Sequence, residues 1–419
     1  MNVFKFGGAS VDSAEGVRNF VKIVQNYKEE MIIVVSAMGK MTNALEDLAH
    51  SYFHGHEDTK NRFLQIKNYH LEIITGLFSE RESKGYEELE QIFLELEKYL
   101  EKTPSLNYDF EYDQIVSFGE LLSTKIISLF LTQSGRPNKW VDIRSCLKTD
   151  DTHREARVDW ELSSKLINQV FNFEKTFVYI TQGFIGGTNT NMTTTLGREG
   201  SDYTAAILSY ILDCDRVMIW KDVPGIMNAD PKWLDDAQKL ERISYREAIE
   251  LAFYGAKVIH PKTIQPLKKK EIPLHVKSFK EPSEPGTIIA KANNKREEHI
   301  PVFIQKKNQL LISIQPNDFS FIMEENLSDI FSTFAKYRVK VNLTQNSAIS
   351  FSVCVDDTGE KLRELIVELK KNYRVRYNEH QELITIRHYN REAVERMVKG
   401  REILMEQRSR NTAQYVLSN

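Results

Sequence analysis

Met31 to Val35 is an unbroken apolar run, mostly β-branched, the pattern of a strand buried on both faces. Short runs at Asn2–Phe6, Phe177–Thr181 and Val217–Trp220 predict further strands. Between them the period changes. The first strand breaks at Gly7-Gly8, and Asp12 with Glu15 has the spacing of a capping box opening a helix through Tyr27. The second ends at Ser36 and Gly39, and Thr42 and Asn43 lead into another helix. The third runs into a loop holding Gly183, Gly186, Gly187, Gly197 and Gly200. Ser201 and Asp202 then stand where an N-cap and first turn belong, ahead of an apolar helix over Tyr203–Leu212. Strand–loop–helix units in series predict an α/β sheet with ligands at the carboxyl ends of its strands.

Residues 57–102 are strongly charged with helical periodicity, as at Leu89, Ile92, Phe93, Leu96 and Leu100. They predict an added helical hairpin, either a lid or a packing element. Past the glycine loop, 221–232 is dense in turn formers and charge, Tyr245–Phe253 reads as a helix, and Pro273–Val276 as the last strand of this part. Lys280–Gly286 reads as the clearest linker in the chain. The expected division is therefore 1–288 and 289–419. In the tail, Leu310–Ile314, Leu327–Tyr337, Val339–Thr344, Ala348–Val355, Lys361–Asn372 and Tyr373–Tyr377 follow a βαββαβ order, a ferredoxin-like unit over 308–378. Strand Leu383–Arg387, helix Arg391–Lys399 and a hairpin across 402–418 resemble a second, shortened copy, built from 299–307 plus 381–419.

Composition narrows the class. The 419 residues are 41% hydrophobic and 27% charged with net charge −3, which suits two or three globular domains and gives no electrostatic case for nucleic acid or membrane. No apolar run of membrane-spanning length and no signal-peptide pattern is read, so a cytoplasmic location is expected. Cys146, Cys214 and Cys354 are far apart and lack CxxC spacing, and the histidines show no HExxH pairing. Neither a disulfide framework nor a zinc site is expected, and a metal would arrive with a substrate.

The glycine loop ahead of 203–212 aims backbone N–H groups and the positive end of a helix dipole at one spot, which suits an anion. Arg198 adds a planar fork that matches a carboxylate or phosphate. Asp202, a negative charge at such a spot, needs another task. It could orient a lysine, lie near a metal ion, or take a proton.

Seven stretches, in order, carry a family resemblance: KFGGAS (5–10), VVSAMGKMTNAL (34–45), SFGE (117–120), TTTLGREGSDYTAA (193–206), WKDVPGIMNADPK (220–232), SYREAIELAFYGAKVIHPKTIQP (244–266) and IPLHVKSF (272–279). Together they resemble the aspartate kinases of the amino acid kinase family, and the tail resembles a pair of ACT domains. The resemblance implies an α/β, αβα-sandwich kinase domain followed by ferredoxin-like ACT domains. It implies ATP-dependent phosphorylation of the L-aspartate side chain to 4-phospho-L-aspartate, the first step toward lysine, threonine and methionine.

Residue roles follow from the same resemblance. Lys5 with the Gly7 and Gly8 amides would cradle the transferring phosphoryl group, Lys257 would be the second cation, and Asp202 would hold the lysines in place. Arg198 would take the substrate α-carboxylate and Glu120 its ammonium, with Ser36, Thr42 and Ser201 at the accepting carboxylate. Lys221, Asp222, Met227, Asp230 and Lys232 fall where the family holds adenosine and ribose. Mg²⁺ would enter with ATP, held by phosphate oxygens and not by a protein ligand set. The match departs from the family pattern at Ala9, usually Thr, at Lys221, in place of the Thr of W-T-D, and at Met227, in place of Tyr.

For the tail, the resemblance implies feedback by lysine and/or threonine, sensed near Asp318, Asn342, Gln345 and Asn346, and a homodimer or larger homo-oligomer formed through the ACT domains. A fused homoserine dehydrogenase is not expected within this length. Two other readings stay open. One is a kinase for another amino acid such as glutamate, since one methylene is worth only about 1–3 kcal/mol in a pocket. The other is a catalytically silent amino-acid sensor, against which the retained Lys5, Lys257 and Asp202 argue.

Overall fold

Strands β1 (Asn2–Phe6) and β2 (Met31–Val35) lie parallel and in register, every residue of both buried. The uninterrupted apolar run of β2 demands such a central position. The chain then adds β3 (Lys139–Val141), β4 (Val178–Gln182), a small hairpin of β5 (Ile185–Gly187) and β6 (Thr193–Thr195), β7 (Arg216–Lys221), β8 (Arg242–Ser244), β9 (Leu274–Ser278) and β10 (Thr287–Ala290). Apart from the β5–β6 hairpin, these complete an eight-stranded sheet of order β3-β4-β2-β1-β7-β9-β10-β8. Only the β9–β10 pair is antiparallel. The computed structural model describes all residues except 79–83, 257–258, 293–299, 319 and 419. It divides into one compact unit of 1–226, 239–249 and 258–292 and another of 227–238, 250–257 and 293–419.

The first unit's main core joins Phe4, Phe6, Phe20, Met31, Ile33, Val35 and Trp220 to the helix face of Leu122, Ile126 and Leu131. Phe6 and Trp220 stack across β1 and β7 with centroids 5.7 Å apart. The predicted hairpin is present as helices Thr59–Leu77 and Lys84–Leu100. Ile73, Ile74, Leu77, Leu89 and Phe93 from it belong to that same core, so it is a packing element and not a lid.

Three expectations are corrected here. Ser13, not Asp12, caps the first helix, accepting the Gly16 N–H at 3.1 Å, because the Gly8–Ser10 turn carries the chain one residue further. Lys280–Gly286 is no linker: it is the loop joining the antiparallel strands β9 and β10. Tyr108–Gln133, two helices broken at Ser117, is long and apolar enough by composition to cross a membrane. Most of it is buried in this unit's core, which accounts for its apolar character. Strands β8 and β10 had no sequence signal long enough to read.

The second unit carries a six-stranded antiparallel sheet: β11 (Val302–Pro316), β12 (Val341–Asn346), β13 (Phe351–Asp356), β14 (Tyr373–Arg387), β15 (Ile403–Arg408) and β16 (Thr412–Leu417). Its order is β12-β13-β11-β14-β16-β15. Helices Glu324–Lys336 and Glu360–Leu369 pack on one half and Arg391–Val398 on the other. Each half has the ferredoxin-like strand order, as the βαββαβ pattern predicts. The sequence suggested separate strands at 310–314 and 299–305, and at 373–377 and 383–387. Instead β11 and β14 each run 15 residues through both halves. Asn308 (φ 54°) and His380 (φ 60°) sit at irregularities in register that let the strands continue.

Phe93 is 1% exposed, so Phe93→Ala is expected to cost about 3–5 kcal/mol in urea unfolding. A cost below about 1 kcal/mol would mean that the hairpin detaches from the core.

Candidate active site

Strand order reverses between β1 and β7: the chain proceeds from β1 to β2 and β4 on one side and from β7 to β9 on the other. Such a switch point opens a crevice beyond the strands' carboxyl ends. Lys5 pairs in register with Ile219, so Lys221, two residues on, faces the same side of the sheet as Lys5. Helix Gly200–Ile211 packs over β1 and β7. Its first turn sets Asp202 against both lysines: Oδ1 lies 2.8 Å from Lys5 Nζ and Oδ2 lies 3.7 Å from Lys221 Nζ. The aspartate side chain is 3% exposed. Burial alone would raise its pKa, but the two ammonium groups more than offset this and hold it below the usual carboxylate range.

The loop geometry explains the glycines. Gly183, at the end of β4, lies so close to Ser201 that any side chain would collide with it. Ser201 is not the N-cap as expected. Glu199 takes that position in a left-handed conformation (φ 54°) after Gly197 (φ 77°), so the helix starts at Gly200 with Ser201 and Asp202 already inside it. A Cβ on Gly8 would stand 2.6 Å from the Ala37 carbonyl, and the Gly39 N–H donates to the Gly8 carbonyl at 3.0 Å. The loops after β1 and β2 are thereby clasped together, with Ser36 half-buried at their base.

Glu120 enters from helix Phe118–Gln133, whose Gly119 lets the helix approach Ala37 and Leu45. Its Oε1 accepts the Ala37 N–H at 3.1 Å, while Oε2, fully buried, has no hydrogen-bond partner among the described residues. Burial pushes the Glu120 pKa up to about 8, with the Ala37 N–H and the nearby Lys5 charge pulling the other way only in part. Two carboxyl groups close to one lysine thus differ in charge state, and the open Glu120 oxygen is a place for a cationic donor.

The remaining residues are distributed unevenly. Thr42 lies half-exposed in the first turn of helix Met41–Phe53, and Arg198 and Asp222 are exposed. Met227, Asp230 and Lys232 belong to the 227–238 segment of the second unit, and Lys257 lies outside the described residues. In the second unit the loop bearing Asp318 meets the turn after β12 through the Ile322 N–H and the Ala348 carbonyl. That places it at the end of β12 that carries the exposed Gln345 and Asn346. Asn342 is committed elsewhere, donating to Gln309 and accepting from Lys306, each at 2.9 Å.

Sequence reasoning missed Asp113, a fully buried carboxylate that takes His153 Nδ1 at 2.8 Å, the Arg154 N–H and the Thr195 hydroxyl at 2.7 Å. It ties down β6, which leads to Arg198. Its sequence signal is weak, because the same short helix, YDFEYDQIV, also carries Asp109 and the buried Glu111.

A model of the amino acid kinase family matches residues 1–278. Lysine-sensitive aspartokinase 3 of Escherichia coli (strain K12) is 31% identical over 396 residues, 92% of this chain and 86% of that protein. The chain belongs to the aspartokinases of the amino acid kinase family. The crystal structure of E. coli aspartokinase III in complex with lysine and aspartate (T-state) matches with TM-score 0.85 and 29% identity, over 99% of this chain and 95% of that one. The structure of the same enzyme in complex with aspartate and ADP (R-state) gives TM-score 0.81 and 28% identity, over 100% and 96%.

The raised Glu120 pKa has a thermodynamic signature. Between its ordinary value of 4.5 and about 8 the folded chain keeps a proton that the unfolded chain has released, so stability falls as pH rises through this window. Relative to Glu120→Gln, the parent is expected to lose stability from pH 5 to about 8 and then level off, measured by urea unfolding at each pH. A difference independent of pH would mean that Glu120 is ionised in the folded chain.

Proposed function

We infer that this chain is an aspartate kinase, transferring the γ-phosphoryl group of ATP to the side-chain carboxylate of L-aspartate. A carboxylate oxygen attacks the γ-phosphorus, the bond to the bridging oxygen breaks, and its electron pair leaves with ADP. The observation that carries the reading is the buried Glu120 with one open oxygen beside the Lys5–Asp202 pair. An ammonium at Glu120 and an anion at Lys5 are what an amino acid meeting a phosphoryl donor requires.

The chemistry brings two anions together, so catalysis rests on positioning and on cations placed where charge develops. Lys5, with the Gly7 and Gly8 amides, serves the phosphoryl group, and Asp202 fixes the lysine. Asp202 is no general base, since a carboxylate acceptor has no proton to give up at neutral pH. Glu120 receives the substrate ammonium, releasing its own proton to solvent water as it does so, and Arg198 takes the α-carboxylate. Ser36, Thr42 and Ser201 supply donors to the accepting carboxylate, and Lys257 is the second cation on the nucleotide. Lys221, Asp222, Met227, Asp230 and Lys232 serve the nucleotide. Mg²⁺ would come with ATP and would neutralise part of the phosphate charge.

Regulation belongs to the same reading. The lysine complex of the E. coli relative supports lysine as the effector, sensed near Asp318, Gln345 and Asn346. Threonine remains the second candidate, because these positions offer amides and a single acid. Association through the ACT units is supported by the exposed Phe321, Met323 and Phe331 on the first of them.

Purified chain with Mg·ATP is expected to release ADP only when L-aspartate is present; effector binding without turnover would favour the silent sensor. Lys5→Ala should lower kcat by the factor that about 2.7–4 kcal/mol of lost transition-state stabilisation implies. An effect confined to the KM for aspartate would remove Lys5 from the phosphoryl site. Arg198→Ala should raise the KM for aspartate far more than that for ATP, and equal changes would reassign it. Titrating the activity with lysine and threonine, singly and together, decides the effector.

A further inference from the structure

We propose that Arg154 is a positioning residue for the amino-acid substrate, its guanidinium strapping the 150–157 loop to the helix that carries Thr42. This role rests on the aspartate kinase reading and deepens it, since Thr42, Glu120 and Arg198 are the residues the strap would hold together. Arg154 has a left-handed backbone (φ 67°), a conformation that costs a residue with a side chain free energy and that glycine adopts freely. Asp113 holds it there, accepting the Arg154 N–H at 3.1 Å and facing His153 Nδ1 at 2.8 Å. The same carboxylate takes the Thr195 hydroxyl, and the Ala156 N–H donates to the Thr195 carbonyl at 2.9 Å, so the loop is laid along the end of β6. Two residues on, Gly197 lies so close to the loop that a Cβ there would stand 3.1 Å from the Arg154 carbonyl oxygen. Arg198 follows directly.

The side chain reaches the other way. Its Nη2 lies 2.9 Å from Glu46 Oε1 and its Nη1 3.6 Å from Asp109 Oδ1, and the guanidinium covers the Tyr112 ring at 4.1 Å. Glu46 stands one turn after Thr42 in helix Met41–Phe53, so the two share a face. The residue before it, Leu45, meets Gly119, the residue before Glu120: a Cβ on Gly119 would stand 2.9 Å from the leucine methyl. Tyr112 marks the same place. Burial, and then the carboxyls of Glu46, Asp113 and Glu120, push its pKa up to about 12, with Arg154 pulling the other way. As a surface ion pair alone the contact would matter little, because side chains as open as these, 38% and 41% exposed, add little stability when they pair. Its value lies in what it connects. The backbone of the loop is fixed beside Arg198 and to the helix that leads to Glu120, and the guanidinium ties it to the helix bearing Thr42. An amino acid would meet all three of those stretches, in its ground and transition states alike, so the strap should act on its binding and not on the chemical step.

The test compares Arg154→Gly, Glu46→Gln and the double variant with the parent by steady-state kinetics, by calorimetry with L-aspartate in the presence of Mg·ADP, and by urea unfolding. Arg154→Gly removes the guanidinium but keeps the N–H that Asp113 accepts, in a backbone conformation that suits glycine. It is expected to raise the KM and the Kd for L-aspartate by about tenfold. Its kcat and its KM for ATP should change by less than about threefold. Glu46→Gln should reproduce this from the other end of the contact, which keeps the test decisive if the glycine variant does not fold. The double variant should be no worse than Arg154→Gly, because both substitutions break the same contact. A KM for aspartate within about threefold of the parent, or two effects that simply add, overturns the proposal. Equal rises in both KM values with a lower urea midpoint overturn it too, since a merely structural loop would behave that way. A parent that releases no ADP in response to aspartate removes the kinase reading and the strap with it, whereas a parent that turns over beside unaffected variants removes the strap alone.

Discussion

A carboxylate sealed inside an α/β core needs a cation at hand, and the ion pair of Asp202 with Lys5 meets that need at the switch point between β1 and β7. Breaking such a pair by removing one partner leaves an uncompensated buried charge, commonly a loss of about 3–5 kcal/mol. Much of the first unit can be understood as holding the two ends of this pair. Parallel pairing of β1 with β2 and β7 fixes the lysine. Gly183 and Gly200, which let the helix start lie against the loop after β4, fix the aspartate.

Glu120 shows the opposite solution with the same functional group. Lys5 is near both carboxyls, yet Asp202 is kept ionised and Glu120 is pushed toward its neutral form. The difference is one of partners. Asp202 has an ammonium at each oxygen, whereas Glu120 has only backbone N–H groups, that of Ala37 on Oε1, and its Oε2 has no hydrogen-bond partner among the described residues. Environments that drive two acids apart give them different work, one as a permanent anchor and one as a receptor for a charged ligand.

The strands that were legible in the sequence are those buried on both faces, because an unbroken apolar run such as Met31–Val35 has few alternatives. Gly8 and the loop before Asp202 were legible for a similar reason: close backbone approach leaves no room for a side chain at Gly8, Gly183 or Gly200. What was not legible depended on register. Nothing in the sequence says that Lys221 stands beside Lys5, since that follows from which strands are neighbours. The turn formers of Lys280–Gly286 look alike in a domain linker and in a loop between paired strands. The bulges near Asn308 and His380 broke the alternation that would have marked β11 and β14 as single strands.

Those two long strands have a consequence for how the C-terminal unit could have arisen and been inherited. Each threads both ferredoxin-like halves, so neither half owns a complete sheet. A chain cut between them would leave half of β11 without its neighbour and turn an interior strand into an adhesive edge. Recombination can move these halves only as a pair.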